Sequence, residues 1–171
     1  MRRYFNTEGA CRPQEHYMVA LDQRLEQIKT MLVDRKKYFV INKGRQYGKT
    51  TTLRALAKYL QMDYFVFLLD FQRIGTEDFA AAPVFARAFA EIMIERAGIM
   101  GSDSEEQLAE PLSQLIKGSD DVSLKELFTQ LSRMCARAPK PIVLMIDEVD
   151  SASNNQVFID FLAQLRAYYL D

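Results

Sequence analysis

Hydrophobic positions along the chain follow two periods. Leu21, Leu25, Ile28 and Leu32 recur at steps of four, three and four, which predicts one face of a helix over about residues 20–33. Lys36 to Asn42 holds a short run of aromatic and β-branched residues, which predicts a buried strand. Thr50 to Leu60 returns to helical spacing through Leu53, Leu56 and Leu60. Tyr64 to Leu69 is apolar on both faces, the pattern of a central parallel strand covered on each side. Pro83 fits the first turn of another helix, whose stripe is Phe85, Ala88, Phe89 and Ile92. From Gly98 to about Gly118 the chain is polar and acidic, and Gly98, Gly101, Pro111 and Gly118 interrupt it. A long connection is expected there, with a short helical piece around Leu108 to Ile116.

Ser123-Leu124-Lys125-Glu126 is a capping box. The helix behind it turns Leu124, Leu127, Phe128, Leu131 and Met134 inward and stops before Pro139 and Pro141. Ile142 to Ile146 reads as a third strand, ending in Asp147-Glu148. Asn154 and Asn155 can cap a final helix with the stripe Val157, Phe158, Phe161, Leu162 and Leu165. Helices alternating with strands predict an α/β domain with parallel strands joined by crossovers.

Composition narrows the class. At 171 residues, 49% hydrophobic and 26% charged, the chain fits one domain with enough apolar material for a core, which argues against disorder. The longest apolar runs, Tyr64–Leu69 among them, fall far short of the roughly 20 residues of a membrane span. Cys11 and Cys135 make no disulfide framework, and no apolar stretch of a signal peptide follows Arg2-Arg3, so a reducing cytoplasm is expected. The two cysteines read as ordinary small side chains. Charge is unevenly shared: residues 1–60 carry 13 Lys/Arg against 5 Asp/Glu, and residues 61–171 carry 9 against 18. A basic end suits a polyanion, and it equally suits a domain whose halves fold together. No run of five to eight basic residues marks duplex recognition, which leaves nucleic acid open as a partner.

Two segments carry candidate chemistry. Lys43-Gly44-Arg45-Gln46-Tyr47-Gly48-Lys49-Thr50 lies between an expected strand and an expected helix, the setting a phosphate loop requires. Backbone N–H groups from Gly44 to Thr51 would surround phosphate oxygens at the positive end of the helix. Lys49 would reach the β- and γ-phosphates, and the Thr50 hydroxyl would ligate Mg²⁺. The pattern departs at its start, where Lys43 stands in place of glycine and Gly44 comes one residue late. If that opening turn needs positive φ, lysine there costs on the order of 1 kcal/mol. The second segment, Asp147-Glu148, ends a strand at the C-terminal edge of the expected sheet, where ligands bind in open α/β folds. Asp147 suits Mg²⁺, and Glu148, with its longer arm, suits the attacking water. Asp150 reads as a surface residue. Asp70, ending the second strand, is better placed to cap the following turn than to contact Glu148.

With these residues in view, Arg45-Gln46-Tyr47-Gly48-Lys49-Thr50-Thr51 and Leu144-Met145-Ile146-Asp147-Glu148-Val149-Asp150 resemble the Walker A and Walker B motifs of bacterial AAA-like ATPases. These form the P-loop division with an additional strand and a catalytic glutamate. The resemblance spans nearly the whole chain, from about Tyr4 onward. It implies one AAA-like domain over residues 1–171, a three-layer αβα sandwich with a mainly parallel sheet of P-loop type. It also implies Mg-ATP as the bound nucleotide and hydrolysis of the β–γ bond to change conformation. Lys49 and Glu148 would be catalytic, Gly44, Arg45, Gln46, Tyr47, Gly48, Lys49, Thr50 and Thr51 would bind nucleotide, and Thr50 and Asp147 would bind Mg²⁺. By the same analogy Arg12 to Val19 lies near the adenine, with His16 and Tyr17 as candidate ring contacts beside their plainer reading as surface or core-edge residues. In this division a strand after Walker B carries a sensor residue and lies between the two motif strands. None follows Asp147 before Asp171, so the resemblance implies a core that continues beyond the sequence, a short chain that binds nucleotide poorly or only in an assembly, or a different sheet order in which the two motif strands pair directly. Arg166 reads as a surface arginine. The alternative function is a switch that binds ATP or ADP with little turnover and acts through a fused or separate effector, or as a homo-oligomer. A small-molecule kinase is disfavoured, because the Asp-Glu pair is foreign to it and no arginine-rich lid is evident.

Overall fold

The computed structural model describes residues 4–6, 14–17, 19–42, 48–100, 107–119, 121–149, 152 and 154–170. The chain divides into two compact units, Met1–Met62 and Asp63–Asp171, described in turn.

The first unit opens with a parallel bridge between Tyr4 and His16, closed by the Tyr4 N–H on the Glu15 carbonyl at 3.1 Å and the Tyr17 N–H on the Tyr4 carbonyl at 3.0 Å. Helix α1, Asp22–Ile28, begins where the leucine stripe begins and buries Leu25. It runs into a π-helical turn over Lys29–Val33, where the Asp34 N–H reaches the Lys29 carbonyl five residues back at 2.8 Å. The wider turn has a consequence for packing. Simple periodicity expects Leu32 on the buried stripe, but the extra residue brings Val33 there instead, 7% exposed, while Leu32 is half-buried. The Lys29 ammonium fastens the turn by contacting Asp34 Oδ1 at 3.0 Å.

Residues 36–42 do not form the expected strand. Lys36 is left-handed at φ 53°, Tyr38 is 48% exposed and Val40 75%, and no described strand pairs with the run. Strand propensity measures how well a side chain fits a pleated, half-covered surface, and without ladder or cover it has no effect. Helix α2, Lys49–Leu60, follows as expected and buries Leu56 and Leu60.

The second unit is built on two parallel strands, β1 (Phe65–Asp70) and β2 (Ile142–Asp147), in direct register from Phe65↔Ile142 to Asp70↔Asp147. Because side chains alternate across a strand, Phe65, Phe67 and Leu69 share a face with Ile142, Leu144 and Ile146. That face packs against a core drawn from α3 (Ala82–Met100), α4 (Glu110–Gly118), α5 (Leu124–Arg137) and α6 (Gln156–Leu170). Its centre is aromatic: Phe161 is fully buried, with ring centroids 4.8 Å from Phe89, 5.2 Å from Phe85 and 5.5 Å from Phe128.

Local side-chain signals set two of the helix starts. Ser123 and Glu126 close the capping box of α5, the Ser123 N–H donating to Glu126 Oε2 at 2.9 Å and the Glu126 N–H to Ser123 Oγ at 3.2 Å. Asn155 Oδ1 accepts from the Val157 N–H at 2.9 Å at the start of α6. The described parts of the acidic connection are helical. Helix α3 passes through Gly98 to Met100, and α4 buries Pro111 and Leu112. The fold is therefore mixed α/β with parallel pairing, and among the described residues the sheet has two strands. Among those residues no helix is long and apolar enough to cross a membrane.

Candidate functional site

The described part of the phosphate-loop segment is the start of α2. Gly48 is its N-cap at φ 71°, ψ 32°, a left-handed conformation that costs an L side chain roughly 1–2 kcal/mol. The requirement is torsional, because among the described residues a Cβ built at Gly48 would meet only the Thr51 Cβ, at 3.9 Å. The Gly48 carbonyl accepts twice from Thr52, from its N–H and its hydroxyl, each at 2.9 Å. As a glycine the N-cap itself offers no side-chain cap, and Lys49, Thr50 and Thr51 stand half-buried in the first turn. The positive end of a helix is thus presented beside a lysine and two hydroxyls. Lys43, Gly44, Arg45, Gln46 and Tyr47 lie outside the described residues, and with them the expected cost of lysine at the opening turn. The helix of the expected setting is present; the strand before the loop is not.

The acidic pair lies in the second unit. Asp147 ends β2 and Glu148 follows, both half-buried. Asp147 Oδ1 accepts the N–H of Glu148 at 3.0 Å, so the carboxylate pins the turn that leaves the strand. Glu148 takes φ 59° there, a conformation uncommon outside glycine, asparagine and aspartate. No signal in the sequence announces this, since glutamate is not a residue that favours the left-handed region. The backbone turns as β2 ends, which frees Glu148 from strict strand alternation.

Asp70 is level with Asp147 across the ladder, and both fall on the sheet face opposite Phe67. Its Oδ1 accepts the Gln72 N–H at 3.0 Å, which is the capping role expected of it. Asp147 and Thr50 offer a carboxylate and a hydroxyl, hard oxygen donors that suit Mg²⁺, an ion that keeps several of its waters. Among the described residues no group of three or more His, Cys, Asp or Glu side chains gathers to hold a metal.

The remaining candidates separate in the same way. His16 is 5% exposed and meets the Tyr4 ring edge-on at 4.7 Å, so it is a buried packing residue. Tyr17 stays 51% exposed with Phe5 beside it at 5.0 Å. Arg166 is on the surface, and Asp150 and Cys11 lie outside the described residues. Cys135 is exposed as a residue, yet desolvation around its sulfur raises the thiol pKa, the opposite of what an activated nucleophile needs. The structure thus brings Gly48, Lys49, Thr50 and Thr51 together in one unit, and Asp147 and Glu148 together in the other. Comparison with known proteins gives no match, whether to a family model, a curated protein or a solved structure.

Proposed function

We propose that the chain is a P-loop ATPase of the AAA-like kind, binding Mg-ATP and hydrolysing its β–γ bond. One observation carries the reading: a left-handed Gly48 opens a 12-residue helix whose first two residues are Lys49 and Thr50. Glycine at that torsion leading into a helix N-terminus is what an anion-binding turn requires. In this reading Lys49 neutralises charge on the β/γ-phosphates, and the amides of Gly44 to Thr51 surround them. Thr50 and Asp147 would hold Mg²⁺, which supplies charge neutralisation when bound. Glu148 orients the attacking water. The three-layer sandwich belongs to the same proposal.

The reading requires the phosphate loop and the acidic pair to serve one nucleotide, and that requirement is measurable. Mg-ATP should raise the melting temperature of the chain, and Lys49→Ala should abolish the rise. Asp147→Asn should remove the dependence of nucleotide affinity on Mg²⁺. Glu148→Gln should keep binding and lose turnover by 10²-fold or more. Binding that Lys49→Ala leaves unchanged would refute the proposal. Saturable, Lys49-dependent binding with the same negligible turnover in wild type and Glu148→Gln would establish the switch instead.

A further inference from the structure

The π-helical turn and the left-handed Lys36 together present a feature that nucleotide binding does not use. The backbone leaves Val33 with the Lys36 N–H on the Val33 carbonyl at 2.8 Å and the Lys37 N–H on the Leu32 carbonyl at 2.9 Å. This fold-back projects Arg35, Lys36 and Lys37 in succession, all exposed. Asp34 is already occupied by the Lys29 ammonium at 3.0 Å. Among the described residues the three cations beyond it form no ion pair or side-chain hydrogen bond. Tyr38 comes next, 48% exposed, and Val40 is 75% exposed.

The charge of the whole unit agrees with that of the turn. The excess of eight positive charges over residues 1–60 belongs to the unit Met1–Met62, because residues 61 and 62 are uncharged. The same unit exposes a second aromatic pair, Phe5 at 80% and Tyr17 at 51%, with rings 5.0 Å apart. An exposed tyrosine ring next in sequence to three unpaired cations matches the chemistry of a single nucleic-acid strand. Cations track the phosphates, and rings stack on bases whatever their sequence. A duplex hides its base faces, so the rings would have nothing to stack on. An anionic lipid surface satisfies the cations, but a polar-tipped tyrosine gains little there from stacking.

From this we infer that the turn Arg35-Lys36-Lys37-Tyr38 is a contact site for single-stranded nucleic acid, with the three cations on phosphates and the Tyr38 ring on a base. The site is independent of ATP chemistry at Lys49 and Glu148.

Fluorescence anisotropy with a labelled 20-nucleotide oligo-dT or oligo-U and the full chain tests it. Saturable binding at 50 mM salt is expected, weakening steeply as salt rises. The variant Arg35→Gln/Lys36→Asn/Lys37→Gln keeps the turn, because asparagine tolerates the left-handed region. It should flatten the plot of log affinity against log salt by about 2, three phosphate contacts at roughly 0.7 each. Tyr38→Ala should weaken binding roughly ten-fold without changing that slope. Circular dichroism and melting temperature confirm that both variants are folded. Absence of oligonucleotide binding at 50 mM salt overturns the inference, as does a triple variant with unchanged affinity. Binding to vesicles of mixed phosphatidylserine and phosphatidylcholine that survives Tyr38→Ala, with none to the oligonucleotides, also overturns it and assigns the turn to membranes.

Discussion

The torsion at Glu148 permits a stability test that is separate from any assay of activity. At ordinary positions replacing alanine by glycine costs about 0.5–1 kcal/mol, because glycine has more backbone freedom to lose on folding. At φ 59° the balance reverses, since an L side chain there carries roughly 1–2 kcal/mol that glycine avoids. The difference leaves Glu148→Gly more stable than Glu148→Ala by about 0.5–1 kcal/mol. Both variants lose the same carboxylate, so whatever Glu148 contacts cancels between them. The two should be compared by urea unfolding followed by far-UV circular dichroism, which suits a chain without tryptophan. A difference of that size moves the melting temperature by about 1–4 °C for a chain of this length. Glu148→Val should be the least stable of the three, as a β-branched residue fits the left-handed region worst. Should the alanine variant equal or exceed the glycine variant, the left-handed turn after β2 is refuted. If the torsion and the turnover loss in Glu148→Gln both hold, then strain and catalysis fall on one residue, a recognised association at functional sites.

Further outcomes follow from the packing and the caps. Phe161→Ala removes a fully buried ring from the centre of the aromatic core and should destabilise the second unit by about 3–5 kcal/mol in urea unfolding. Gly98→Ala should stabilise α3 by up to about 1 kcal/mol, because among the described residues its new Cβ meets nothing within 4 Å and the helix continues through the site. Glu126 accepts from the Ser123 hydroxyl at 2.6 Å and from its N–H, and these bonds hold its carboxyl below the ordinary 4.5. The charged form is thus favoured in the folded state. Its contribution is complete above the unfolded value near 4.5 and is lost as pH falls through the lower folded value. A stability gap between wild type and Glu126→Gln should accordingly be constant near neutrality and close in acid; a gap that persists at pH 2 contradicts the capping box.

The helices were legible where side chains themselves carry the instruction. Ser123 with Glu126, and Asn155 ahead of Val157, satisfy helix N–H groups directly, so their identities mark the boundaries. Strands β1 and β2 were legible as unbroken apolar runs, six residues from Tyr64 to Leu69 and five from Ile142 to Ile146, too short for an ordinary helix. Residues 38–41 are also apolar and aromatic, but a strand needs a neighbour as well, and neighbours are not encoded locally. Gly98 was read as a breaker because its intrinsic cost is real; the burial of Met93 and Ala97 just before it carries α3 through regardless. At the candidate site Gly48 was legible from its type, while the torsion of Glu148 was not. It arises from the chain leaving β2 with Asp147 Oδ1 fixed to the next N–H, a contact that no residue type forecasts.

The β1–β2 ladder has a kinetic consequence. Phe65 must find Ile142 with α3, α4 and α5 between them in the chain, so the ladder closes a long loop before any of its hydrogen bonds is made. Contacts of such high order slow a domain's folding. The helices in between are local and assemble first, and Asp147 reaches its edge only when the last long-range pairing locks. During refolding, the amides of β2 should be the late ones to gain protection from hydrogen exchange, after those of α3 and α5.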